Sequence, residues 1–213
     1  SSSSGAPAVL SVLSPRRSRQ QTTKNNLKQI GIGMHNYHET FNRLPPGGLD
    51  ENGKAGLSWR VHLLPFMGQS ALYDDFHLDE PWDSEHNKPL IARMPALFKS
   101  PGAKAKPGQT NYVATRHENG VITGKQGKRL ADITDGTSNT IMVVEADDKS
   151  AVTWTKPDDL DFNPKKPHTG LGTLRNGQFF VLFCDGRVRG ISSRISAEML
   201  NRIVDRQDGK QVN

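Results

Sequence analysis

The chain has 213 residues, a mean hydropathy of −0.63, a formal net charge of +6 and a pI near 9.5. That length suits one domain with a proper core, and a single cysteine, Cys184, excludes an internal disulfide. No apolar run of about 18 residues reads as a transmembrane helix, and the early basic cluster (Arg16, Arg17, Arg19, Lys24, Lys28) lacks the interleaved aromatics or helix-turn-helix pattern of a nucleic-acid binder, so no nucleic-acid partner is expected.

In chain order, the opening SSSSGAPA reads as a flexible tail or remnant, so residues 1–15 stand apart from a single domain over 16–213. The short run PAVLSVL, closed by Ser14-Pro15, is too brief for a complete signal peptide. Leu27, Ile30, Met34, Tyr37 and Phe41 then step by three, four, three and four, which is one stripe of a helix. That helix is expected to begin between Arg17 and Thr23 and to stop before Pro45-Pro46. Gly31 and Gly33 within it permit close backbone approach.

The segment GGLDENGKAG reads as a hairpin-like loop turning at Asn52-Gly53. LSWRVHLLPFMGQSALYDDF reads as two short helices around Pro65, and SEHNKPLIARMPALF as another opened by Ser84. TNYVAT and GVIT read as short strands, and LADITDGTSNTIMVVEA as a turn followed by a buried strand from Thr140 to Val144. FFVLFCDGRVRGIS is a hairpin joined at Asp185-Gly186. A helix from Ser196 to Asp205 closes the pattern. The order predicts an α+β fold: a long N-terminal helix packed on an open, largely antiparallel sheet, with short helices and long loops.

His35 and His38 could share a helix face. A zinc enzyme needs His-Glu-x-x-His or a third ligand, whereas Asn36 and Tyr37 lie between this pair and the apolar stripe passes beside it, so the pair reads as packing. Asp159, Asp161 and Asn163 imitate the start of a calcium loop, but Pro164 stands where the sharp turn needs Gly and Gly170 where the bidentate Glu belongs. Asp132, Asp135, Ser138 and Asn139 could bind a hard cation; an Asx-type turn around Gly136 is the favoured reading. No Gly-x-Ser-x-Gly, phosphate loop or paired carboxylates stand out, so no catalytic residue, enzymatic activity or cofactor is assigned. Trp59, Trp82 and Trp154, taken as exposed and with His62 and His86 nearby, would suit a sugar-stacking surface, although half-buried anchors are the commoner role of such tryptophans.

Four stretches together carry a resemblance: KNNLKQIGIGMHNYHETFNRLPPG, LSWRVHLLPFMGQSALYDDFHLDEPWDSEHNKPLIARMP (with Trp82), LADITDGTSNTIMVVEA and GQFFVLFCDGRVRGIS. Over roughly Arg16 to Asp205 the chain resembles the prepilin-like domain family expanded in planctomycete-type bacteria, labelled prepilin-type processing-associated. The resemblance implies a type IV pilin- or pseudopilin-like domain of the periplasm or cell surface, structural rather than catalytic, assembling with copies of itself or other envelope proteins. The alternative is an extracytoplasmic binding module for a glycan or other solute. The resemblance also implies a prepilin leader and an apolar half-helix; neither is found in this sequence, so a membrane anchor is expected to be absent from it. It further implies a histidine nine residues before Asp185-Gly186, where Arg175 stands, and a disulfide between positions held here by Thr23 and Ser100. Losing such a bond costs on the order of 2–5 kcal/mol, for which extra core packing is expected to compensate.

Overall fold

The long helix α1 spans Pro15–Phe41 in the computed structural model, which describes residues 13–122, 124, 126–133 and 136–204. It begins two residues before the expected window. Ser14 caps it by accepting from the Arg17 N–H at 3.4 Å, and Pro15 takes the first helical position, where a missing N–H is harmless. It ends when Asn42 turns left-handed (φ 56°) and donates its N–H to His38 O at 2.7 Å.

The remaining elements are α2 (Trp59–His62), α3 (Ser70–Asp74), β1 (Gln109–Thr110), β2 (Tyr112–Arg116), β3 (Ile141–Glu145), β4 (Val152–Thr153), β5 (Leu160–Asp161), β6 (Gln178–Phe183), β7 (Val188–Ser192) and α4 (Ala197–Val204). The fold is α+β. Strands β5-β2-β3-β6-β7 form the main sheet in that order, and β1-β4 a two-stranded ladder. Every pairing in the main sheet is antiparallel except β2 with β5, so the sheet is mixed. A register shift between Ile141 and Val143 bulges β3.

Alternation along β6 divides the core. Phe180 and Leu182, with Cys184 just beyond, join Leu27, Ile30 and Met34 of α1. Phe179, Val181 and Phe183 join Leu200, Ile203 and Val204 of α4. The sheet is open, with edges at β5 and β7, and is covered on both faces. This explains why FFVLFC reads as a continuous apolar run instead of an alternating one. The α1 stripe is fully buried through Met34; Tyr37 is half-buried and Phe41 exposed, their rings 4.5 Å apart between centroids and 5.6 and 6.2 Å from that of Phe66. Gly31 has a steric reason: a Cβ there would lie 2.9 Å from Leu182 Cδ1 and 3.6 Å from Gly186 Cα.

The 59–74 region holds α2 and α3 separated by a 3-10 turn at Leu64–Met67, with Pro65 in its first turn. The single helix expected over 84–98 is instead two 3-10 turns, Lys88–Arg93 and Ala96–Phe98, because Pro89 and Pro95 interrupt the backbone ladder. Residues 120–122 form no strand; Val121 and Ile122 are buried from a loop. The Asn52-Gly53 turn is present, closed by a bridge between Leu49 and Ala55 and by Asp50 Oδ1 accepting from the Asn52 and Lys54 N–H groups. At the β6–β7 turn Asp185 Oδ1 accepts from the Arg187 N–H at 2.9 Å and Gly186 adopts φ 87°.

Candidate functional site

The two histidines of α1 bond different segments. His35 Nε2 lies 2.8 Å from Cys184 O, so it carries the proton and donates. His38 Nε2 accepts from the Leu130 N–H at 3.1 Å. Burial, then the neighbouring His35, lowers the His38 pKa, which favours the neutral, accepting ring. The pair fastens α1 at two points along its length, to the end of β6 and to the loop at 130.

Two of the cation candidates, Asp132 and Asn139, are engaged by near neighbours in the sequence. Asp132 is held by Arg129 through two bonds, Nε to Oδ2 at 3.0 Å and Nη2 to Oδ1 at 2.9 Å. Asp135 lies outside the described residues. Asn139 donates its N–H to Gly136 O at 3.3 Å, which closes a turn in which Gly136 has φ 84°. Among the described residues, no group of three or more His, Cys, Asp or Glu side chains is placed to hold a metal ion. Within the calcium-like segment, Asp161 meets Arg116 Nε at 2.6 Å, and Asn163 Oδ1 accepts from the Lys165 N–H at 2.9 Å.

The proposed tryptophan surface does not form. Trp59 and Trp154 are fully buried, with Nε1 donating to Asp159 Oδ1 (3.1 Å) and Ile91 O (2.9 Å). A buried indole N–H needs such a partner, and both rings serve as core anchors. Only Trp82 stays half-buried, with Lys156 Nζ 5.5 Å from its ring. His86 stacks on His77 with centroids 3.4 Å apart.

Two buried charge centres replace the expected sites. Arg60 is wholly buried against Asp159 at 2.8 Å and also donates to Ser58 Oγ, Tyr112 O and Asp158 O. Burial lowers the Arg60 pKa and raises that of Asp159, and each charge opposes the shift of the other. The second centre lies under α1. Glu145, at the end of β3, accepts from Thr23 Oγ1 (2.9 Å), Ser100 Oγ (2.5 Å), Arg175 Nε (2.8 Å) and Arg175 Nη2 (2.9 Å). Arg175 Nη2 also reaches Thr23 and Ser100 at 3.0 and 2.9 Å. Burial alone would lower the Arg175 pKa, but the Glu145 bonds and charge raise it. Tyr112 stands beside this centre, its hydroxyl accepting from Asn26 Nδ2 at 3.1 Å. Burial, then the charge of Glu145, pushes that phenol up to about 12.

Thr23, Ser100 and Arg175, singled out separately in the sequence, thus converge on one carboxylate. Hydrogen bonds to one buried carboxylate join α1 to the loop after Phe98 at the positions where the resemblance implies a disulfide. Sequence reasoning missed Glu145 and Arg60, and weighed Asp159 only as part of a calcium-like loop. An acid closing the apolar run IMVV looks like a strand end meeting solvent, and only the partner 30 residues later shows otherwise.

Among the depressions lined by described residues, three bear on function. A groove of about 600 Å³ runs between α1 and the β6–β7 turn, lined by Lys28, Ile32, His35, Asn36, Asp185 and Arg187 among others. A cavity of about 390 Å³ beside the 49–55 turn is bordered by Asp50, Leu57, His62, Asp79 and Glu80. Burial pushes the His62 imidazole down to about 4. A smaller cavity, about 170 Å³, lies between the start of α1 and residues 174–176.

None of the curated proteins and none of the solved structures matches the chain. A family model matches residues 14–105 and 97–173, which include α1, the main sheet through β5 and the residues meeting at Glu145 other than Arg175. The chain belongs to the SBP_bac_10 family of proteins of unknown function (DUF1559).

Proposed function

We propose that this chain is a non-enzymatic assembly module of the cell envelope, a pilin- or pseudopilin-like domain that packs with copies of itself or with related envelope proteins. The outer side of α1 carries this reading. The helix extends 27 residues, buries one stripe in the sheet, and leaves Ile32, off that stripe, 52% exposed. An exposed large apolar side chain on a rigid rod suits packing against another protein surface. The ionised groups brought together inside the fold, Arg60 with Asp159 and Arg175 with Glu145, are engaged in bonds that hold elements together, which supports a structural role.

Sedimentation velocity across a concentration series tests the assembly. The parent chain should associate as concentration rises, and the Ile32→Glu variant should remain monomeric with an unchanged melting temperature. A parent chain that stays monomeric throughout, or a variant that associates equally well, contradicts the reading. Fractionation of producing cells tests the location: recovery in the cytosol counts against an envelope role.

The second reading, an extracytoplasmic module binding a glycan or other solute, is favoured by the cavity at His62. Apolar Leu49, Leu57 and Leu78 lie there beside acceptors from Asp50, Asp79 and Glu80, which is the mixture a hydroxylated ligand needs. A panel of oligosaccharides that raises the melting temperature in the parent chain but not in His62→Ala would support it.

A further inference from the structure

The cavity at the start of α1 is lined by Arg16, Arg19, Gln20, Leu174, Arg175 and Asn176, and no carboxylate lines it. Arg16 and Arg19 are exposed and make no ion pair or hydrogen bond among the described residues. Arg19 is nonetheless seated. It lies across Gly102, where a Cβ would come within 3.0 Å of Arg19 Cδ and Nε and 3.1 Å of Cζ. Arg175 is only 8% exposed. Its Nε and Nη2 bind Glu145, Thr23 and Ser100, whereas Nη1 makes none of these bonds. The single negative charge of Glu145 is thus engaged by Arg175, and the two neighbouring guanidinium groups have no balancing charge among the described residues.

We propose that this cavity binds one tetrahedral oxyanion, a phosphate or sulfate group. A planar carboxylate is satisfied by a single guanidinium fork. Three guanidinium groups from two parts of the chain instead suit an anion that presents acceptors in several directions and carries up to two charges. Gln20 and Asn176 can add neutral donors. The volume, about 170 Å³, holds one such group with its waters rather than a whole glycan. Because Arg175 is fixed by Glu145 and Arg19 by its seat on Gly102, binding immobilises few side chains, which favours affinity.

Isothermal titration calorimetry on the full 213-residue chain provides the test, using sodium phosphate, sodium sulfate and sodium chloride at matched ionic strength. Phosphate or sulfate should bind saturably and chloride should not. Arg16→Gln/Arg19→Gln should weaken the binding at least tenfold with no change in melting temperature, since both side chains are exposed, and Arg187→Gln, at the distant β6–β7 turn, should leave it unchanged. Co-sedimentation with vesicles containing phosphatidylglycerol, against phosphatidylcholine alone, distinguishes the source. Retention on the anionic vesicles that is lost in the double variant assigns a lipid head group, and saturable phosphate binding without such retention assigns the free ion. The proposal is overturned if no anion binds saturably, if chloride competes equally at matched ionic strength, or if the double variant binds as the parent does.

Discussion

Glu145 is the residue on which most of the polar interior depends, because four side-chain bonds end on its carboxylate. Removing one partner of a buried ion pair strands the other, at a cost of about 3–5 kcal/mol, whereas replacing both with apolar groups of similar size is often nearly neutral. Arg175→Met should therefore lower the unfolding free energy by about that amount in urea titrations, and Glu145→Leu/Arg175→Met should recover much of the loss. Equal losses in the single and double variants would mean that the pair is not coupled. His62 makes a second prediction. Its folded imidazole takes a proton only near pH 4, whereas the unfolded one does so at its ordinary 6.5. The unfolded chain binds more protons between those values, so stability is full above about pH 6.5 and declines toward pH 4, by on the order of 2 kcal/mol after allowance for partial exposure. His62→Gln should flatten that part of the stability–pH curve. At this scale the sequence was partly legible. The apolar stripe beside His35 and His38 marked them as structural, but their partners, Cys184 O and the Leu130 N–H, lie 149 and 92 residues away and leave no local signal.

Among the elements, α1 and the β6–β7 hairpin were legible because their signals are local: a 3.6-residue stripe, and Asp-Gly between two strand-like runs. The parallel pairing of β5 was not, since two residues supply no periodicity and their partner is set by the whole sheet. The Thr23–Met34 stretch of α1 packs on the sheet with Gly31 letting β6 come close. Gly31→Val should force Leu182 or the helix to move and cost about 1–3 kcal/mol, read as a lowered melting temperature. An unchanged value would mean that the helix does not rest on Leu182. Leu27→Asp or Ile30→Asp, each placing a charge at a fully buried position, should prevent folding altogether.

For the whole molecule, the order helix, small helices and loops, sheet indicated the α+β class, and the structure adds that α1 and α4 enclose the sheet from opposite faces. α4 was legible as a helix, but its place was not, because an amphipathic segment of eight residues fits any apolar face. The central claim is that α1 and the sheet form one cooperative body, joined by the stripe at Leu27, Ile30 and Met34 and by the charged centre at Glu145. Native-state hydrogen exchange tests this most directly. Amides from Thr23 to His38 should exchange with the same opening free energy as those of β3 and β6, and Arg175→Met should lower all of them together. An α1 that exchanges far faster than β3 and β6, or that alone responds to Arg175→Met, would contradict the account.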